Sequence, residues 1–276
     1  GLIPAMSVLA RVDMRGNNLG VEGWTSIFNA LRDSPTSKIS AWDLSRENLG
    51  PGIATPLAEY LCTSTMITEC NLRGNNLGVE GWTSIFNALR DSPTSKITAW
   101  DLSGENLGPG ISTPLAEYLG TATSVLARVD MRGNNIAGDS AAQLSAAVLG
   151  NLKIEMFNGI PIKEMRANSI TELDLKGKEI GDEGGMVVAG LIPAMSVLAR
   201  VDMRGNKITG DSAAQLSAAV LGNLKIEMFN EIPIKEMRAD SFTELDLEGK
   251  DVGVEGGMVV AGLILVMGAL TQVLAF

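Results

Sequence analysis

Ten positions stand out for the chemistry they could do. Asp13, Asp43, Asn71, Asp101, Asp130, Asn158, Asp174, Asp202, Asn230 and Asp246 hold one equivalent place in a recurring pattern. Three of the aspartates have an arginine two residues away on each side: Arg11-Asp13-Arg15, Arg128-Asp130-Arg132 and Arg200-Asp202-Arg204. Carboxylates gathered in this way have three uses. They can pair with their arginines in a self-neutralising surface network. They can form a charged docking stripe for a partner. They can also share catalytic work or hold calcium, but the nearby arginines oppose a cation.

Most other chemistry is excluded. The chain has 276 residues, no histidine and two cysteines. That rules out a Ser-His-Asp triad, a Cys-His dyad, His-ligated zinc or haem, a four-cysteine zinc site and a disulfide framework. Cys62 and Cys70 lie eight apart, and Cys70 falls on an apolar strand position, which makes it a small buried hydrophobe. The run Lys176-Gly177-Lys178-Glu179-Ile180-Gly181 lacks the GxxxxGK[ST] pattern of a phosphate loop. Ser34-Pro35 and Ser92-Pro93 sit where a helix-to-strand turn needs proline. With 22 Lys+Arg against 32 Asp+Glu the formal charge is −10, which argues against non-specific nucleic-acid binding. No catalytic residue, metal ligand or cofactor site is expected. A hydrophobic content of 45% with 20% charged residues excludes a disordered acidic tail.

Repetition dictates the elements that must position these residues. Residues 16–39 recur unchanged 58 residues later at 74–97, and 153–157 with 161–167 recur 72 residues later. Within these blocks lies a shorter frame, Leu9-x-x-Val12-x-Met14-x-x-Asn17-x-Leu19. It starts again at Ile39, Ile67, Ile97, Leu126, Ile170, Leu198 and Phe242, with partial copies at Ile154 and Ile226. The frame alternates apolar and polar residues, as a strand does. Asn17, Asn75, Asn134 and Asn206 end strands, where an amide satisfies bending backbone groups. Gly20, Gly50, Gly78, Gly108, Gly181 and Gly253 follow and permit tight turns. Helical patterns come next: Val21, Trp24, Ile27, Phe28 and Leu31 form one apolar face. Thr55-Pro56 and Thr113-Pro114 read as an N-cap followed by a first-turn proline, and Asp211 or Ser212 with Gln215 as a capping start. Trp42, Trp100 and Cys70 share the inward strand position of Val12, Val129, Leu173, Val201 and Leu245, so they are core residues. The 4% aromatic content suits a core of stacked aliphatic side chains.

The frame resembles the leucine-rich repeat family, pattern LxxLxLxxNxL, over essentially the whole chain. Its roughly 28-residue spacing with a helical stretch resembles the ribonuclease-inhibitor-like subfamily. Glu47, Glu105, Lys178 and Lys250 depart from the pattern by replacing the asparagine. The resemblance implies an α/β fold, a leucine-rich repeat solenoid shaped as a horseshoe, with parallel strands on the concave face and helices on the convex face. One strand and one helix cannot bury their own apolar faces, but stacked copies can. Residues 1–276 are expected to form a single array, a piece of a longer chain, with 58-residue double repeats over 1–125 and 72-residue triple units over 125–276. The units at Ile154 and Ile226 leave little room before the next strand and are expected to lack helices, which leaves a notch or a local variation in repeat length.

Nineteen residues from Met258 to Phe276 carry no charge. Their length makes them a membrane-span candidate. Their register favours a final repeat: 258–264 copies 186–192, and Leu270-Thr271-Gln272-Val273 aligns with Leu198-Ala199-Arg200-Val201. Residues 1–7 repeat 190–196, so the sequence opens inside a repeat. Few cysteines and no Asn-x-Ser/Thr sequon favour an intracellular setting, cytoplasmic or organellar, over secretion.

Two functions follow. The first is a non-catalytic scaffold that presents a charged concave face to a protein partner, through Arg11, Asp13, Arg15, Arg128, Asp130, Arg132, Arg200, Asp202 and Arg204. Relatives of the resembled subfamily include nuclease inhibitors, GTPase-activating regulators and sensor domains of immune receptors. The second is a structural or linker subunit built into a large, membrane-associated or soluble assembly.

Overall fold

The repeating frame produces strands of two or three residues. Such strands cannot stand alone, and each is held by its neighbours and by a helix behind it. A computed structural model describes residues 11–14, 16–34, 37–121, 125–241, 243–265, 267–268 and 272–274. Residues 1–7, Leu9, Arg15, Pro35, Phe242, Leu270 and Thr271, all singled out above, lie outside these. So do the side chains of Arg11, Gln272 and Val273. The chain divides into two units, residues 1–135 with 150–154, and residues 136–149 with 155–276.

In the first unit the order is β1 (Arg11–Asp13), α1 (Gly20–Arg32), β2 (Ala41–Asp43), α2 (Ala54–Thr63), β3 (Glu69–Asn71), α3 (Gly78–Arg90), β4 (Ala99–Asp101), α4 (Ser112–Leu119) and β5 (Arg128–Asp130). β1, β2 and β3 pair in parallel with Val12, Trp42 and Cys70 in register. β4 pairs in parallel with β5, with Trp100 opposite Val129. The middle residue of each strand points inward: Trp42 and Trp100 are each 2% exposed.

The core of this unit is aromatic, contrary to the aliphatic expectation. Trp24 stacks on Phe28 at 5.6 Å, Phe28 stacks on Tyr60 at 5.8 Å, and Trp42 stands edge-on to both rings of α1. Trp82, Phe86, Trp100 and Tyr118 repeat the cluster. Few aromatics are present in the chain, but the 58-residue copy places eight of them in two matching positions. Val21, read as part of α1's buried face, is instead 47% exposed and lies over Gly52 of the next repeat.

α2 and α4 start differently from the sequence expectation. A 3-10 turn, Pro51–Ile53 or Pro109–Ile111, leads straight into each helix. Thr55-Pro56 and Thr113-Pro114 therefore lie inside the first turn, and neither helix has a side-chain cap. Proline suits this place because a first-turn N–H has no intrahelical partner to lose.

The second unit holds α5 (Gly138–Gly150), apart from its last residue, then β6 (Met156–Phe157), α6 (Ile162–Arg166), β7 (Glu172–Asp174), α7 (Gly181–Leu191), β8 (Arg200–Asp202), α8 (Gly210–Gly222), β9 (Met228–Phe229), α9 (Ile234–Arg238), β10 (Glu244–Asp246), α10 (Gly253–Ile264) and β11 (Gln272–Leu274). β7, β8 and β9 pair in parallel, as do β10 and β11. The run from Met258 therefore continues as a repeat helix followed by a strand, as its register implies. Among the described residues no helix is long and apolar enough to cross a membrane.

The units at Ile154 and Ile226 are not helix-less. Each carries a five-residue helix, α6 or α9. A two-way bridge between Phe157 and Ile160, or Phe229 and Ile232, folds the chain back so tightly that a short helix fits. These helices also brace their neighbours. Arg166 donates to the Val148 and Leu149 carbonyls of α5, and Arg238 to Val220 and Leu221 of α8. Both arginines thereby satisfy carbonyls at a helix C-terminus, where a cation is favoured. α8 begins at Gly210 with no side-chain cap of its own. Its Ser212 hydroxyl donates to the Asp182 carbonyl at 2.7 Å instead, tying α8 to α7.

Candidate functional site

The flanking residues of each strand face outward. Glu69 and Asn71 on β3, and Glu172 and Asp174 on β7, are exposed on either side of a buried centre. This is the face on which the aspartate column lies, and the structure gives that column a local task. Asp43 Oδ1 accepts the N–H of Ser45 at 3.2 Å and its hydroxyl at 2.7 Å, and Asp101 does the same for Ser103. Asn71, Asp130, Asp174, Asp202 and Asp246 each accept the N–H of the residue two places on. The column is therefore a set of side-chain-to-backbone turns that close the bend after each strand. A carboxylate spent in this way is held as an acceptor and is poorly placed as a general base.

The column's remaining members turn inward. Asn158 and Asn230 are both 0% exposed. Asn158 donates to the Ile180 carbonyl at 3.1 Å and to Glu183 Oε1 at 3.0 Å, and Asn230 makes the same pair of bonds to Val252 and Glu255. Glu183 and Glu255 are each 3% exposed. Burial pushes the Glu183 carboxyl up to about 7, opposed by its own N–H and the Asn158 amide and reinforced by Asp182. Burial also raises Glu255. Neither glutamate was marked by the sequence reading; the signal was the two asparagines that interrupt a column of aspartates just before a short helix.

The nine proposed contact residues separate into groups. Arg132 folds back on Asp130, with Nε at 2.9 Å from Oδ1. Arg204 does so on Asp202 at 2.9 Å, and also reaches Glu231 and the Lys250 carbonyl. Arg204 is only 7% exposed, so it is an internal brace rather than a contact surface. Burial works against ionisation of Asp202, but the Arg204 guanidinium and backbone N–H hold its carboxyl below the usual range. Arg128 and Arg200, at the other end of their strands, are exposed. Asp13 is exposed on β1. Across the ladder Arg200 lies opposite Glu172 and Met228, and Arg128 opposite Ala99. Arg73 and Lys176 occupy the place of Arg132 and Arg204 in their own repeats and are exposed; the sequence reading passed over them because no arginine precedes their turn.

The departures from the asparagine pattern also have a geometry. Asn75, Asn134 and Asn206 each bridge two repeats: the Asn206 amide donates to Leu175 at 2.8 Å and Met203 at 2.6 Å, and its oxygen accepts the Ile180 N–H. Glu47 and Glu105 accept the N–H of Gly16 and Gly74 from the preceding repeat. Carboxylates can do this because the bond they replace needs an acceptor.

Reactive groups are scarce. Burial pushes the Cys70 thiol up to about 12 and the Cys62 thiol up to about 11, so neither is a thiolate at neutral pH. Among the described residues no cluster of three or more acidic or cysteine side chains could hold a metal ion.

Residues 166–189, which end α6 and run through β7 into α7, match a family model described as Leucine Rich repeat. No curated protein matches the sequence. Among solved structures, the chain is similar to leucine-rich repeat-containing protein LegL7 from Legionella pneumophila, at 15% identity over 96% of this chain and 88% of that one, TM-score 0.35. It is also similar to Leiomodin-1 Actin-Binding Site 2, at 14% identity over 56% of this chain and 73% of that one, TM-score 0.36.

Proposed function

We propose that this chain, a leucine-rich repeat protein, is a non-catalytic scaffold that binds a protein partner through the outward side chains of its strands. The observation that carries this reading is the division of labour on that face. The aspartates are occupied with closing turns, whereas Arg128, Arg200, Glu69 and Glu172 stand exposed on rigid strands. Charges held in this way set orientation and association rate more than affinity. Within the proposal Arg11, Asp13 and Arg15 belong to the same face, while Arg132 with Asp130 and Arg204 with Asp202 stiffen it.

Hydrogen–deuterium exchange on the intact chain, with and without a partner captured from its source, tests the reading. Protection around 126–133 and 198–205 supports it. Protection confined to α3, α8 or α10 removes it. A second reading, a subunit held permanently in a larger assembly, is favoured by one observation, the exposed apolar face of α10.

A further inference from the structure

α7 and α10 are nearly the same helix in two surroundings. Residues 253–264 differ from 181–192 at one position, where Val254 stands for Asp182. In α7 the face toward the following repeat is covered by α8. A side-chain carbon at Gly185 would lie 2.5 Å from Ser212 Oγ and 3.1 Å from Ile208. At the matching Gly257 there is open space. Ile192 is 0% exposed and Met186 5%, whereas their counterparts Ile264 and Met258 are 37% and 39% exposed. The same sequence thus shows both how a helix seats on this face and the face without one.

α10 also lacks both polar latches that hold a following repeat elsewhere in the chain. In α7, Asp182 Oδ1 accepts the N–H of Thr209 at 2.7 Å, and Val254 cannot do this. In α1 and α3 the helix ends on Arg32 and Arg90, which pair with Glu59 and Glu117 of the next helix. Leu265 holds that place after α10 and is 88% exposed. What remains is a continuous apolar surface made of Val254, Gly257, Met258, Ala261, Ile264 and Leu265. No charged residue occurs from 256 to 276, in a chain whose formal charge is −10.

We propose that this face is the contact of a two-fold dimer, α10 packing against α10 of a second copy. An uncharged, latch-free surface selects an uncharged apolar partner, and α10 itself is such a helix. A self-complementary patch closes by two-fold symmetry, burying the same residues on both sides. Gly257 and Ala261, one turn apart, let the helix axes approach as Gly185 lets α8 approach α7. Elsewhere the net negative charge keeps two copies apart. This inference goes beyond the scaffold reading and does not depend on it.

Sedimentation velocity of the whole chain from low to high micromolar concentration is the test. The expected result is a species of twice the 29.1 kDa chain mass. Leu265→Glu and Met258→Glu should each weaken the dimer at least about tenfold, as loss of a central apolar contact does. Val197→Glu, off this face, should leave it unchanged. Circular dichroism shows whether each variant is folded, and Leu265 is exposed enough that its substitution leaves the chain's own packing intact. A monomer at every concentration overturns the proposal, as does a dimer of equal strength in both α10 variants. A monomer that binds phosphatidylcholine vesicles and loses this in Leu265→Glu overturns it in favour of a lipid surface.

Discussion

The side-chain amide of Asn158 donates to Glu183 Oε1 at 3.0 Å, in a setting where Asn158 is 0% and Glu183 3% exposed. Asn230 and Glu255 repeat the pair 72 residues on, also at 3.0 Å. Each pair links the turn after a short strand to the first turn of the next repeat's helix. A carboxyl at the third position of a helix suits the orphan N–H groups there, but burial makes its charge costly.

A pH dependence follows from this pairing. The Glu183 carboxyl is raised from 4.5 to about 7, so the folded chain holds this proton more tightly than the unfolded chain. Its stabilising contribution is full below the unfolded value and is lost as pH rises through about 7. Thermal melts followed by circular dichroism should show the second unit losing on the order of 2–3 kcal/mol between pH 4.5 and 8. Glu183→Gln should flatten that slope. A slope of unchanged size in the variant would assign it to other groups.

The two classes of arginine predict opposite phenotypes. Arg128→Glu and Arg200→Glu alter exposed side chains and should change stability by less than about 0.5 kcal/mol. Arg204→Ala removes the partner of Asp202 and Glu231 from a buried position and should cost about 3 kcal/mol or more. Urea denaturation of the three variants checks this, and equal losses in all three would mean that Arg204 is no brace.

The bridging asparagines should outweigh their carboxylate replacements. Asn206→Ala orphans the buried carbonyls of Leu175 and Met203 and should cost about 2–4 kcal/mol. Glu47→Ala loses one bond at an exposed site, to the N–H of Gly16, and should cost less than about 1 kcal/mol. Chemical denaturation again reads the difference.

The four tryptophans, Trp24, Trp42, Trp82 and Trp100, all belong to the first unit. Their fluorescence should follow that unit alone, whereas circular dichroism follows both. Trp82→Ala empties a fully buried site stacked on Phe86 and should cost about 3–5 kcal/mol. The loss should appear in the fluorescence transition of the remaining tryptophans.

Much of the fold was legible because the sequence copies itself. A residue such as Trp42, read alone, could have been a binding platform. Aligned with Val12 and Cys70 it had to be core, and it is 2% exposed. The outward column was equally visible, but its purpose was not. Spacing shows that Asp43 recurs, not that its oxygen closes on the Ser45 N–H. The same limit applies to Arg204: its i, i+2 partner Asp202 was readable, whereas Glu231 and the Lys250 carbonyl, which complete its burial, come from later repeats. The short helices escaped because five residues fall below the length at which a 3.6-residue period can be recognised. The glutamates beneath Asn158 and Asn230 escaped because a first-turn glutamate is exposed on most helices.

Affinity capture from the source by the intact chain, beside an Arg128→Glu/Arg200→Glu double variant of matched stability, tests docking through the strand face most directly. Crosslinks mapped by mass spectrometry should place the partner near β5 and β8, and the double variant should lose it. The same partner retained by the variant, with crosslinks gathered on the helices, would contradict a strand-face scaffold.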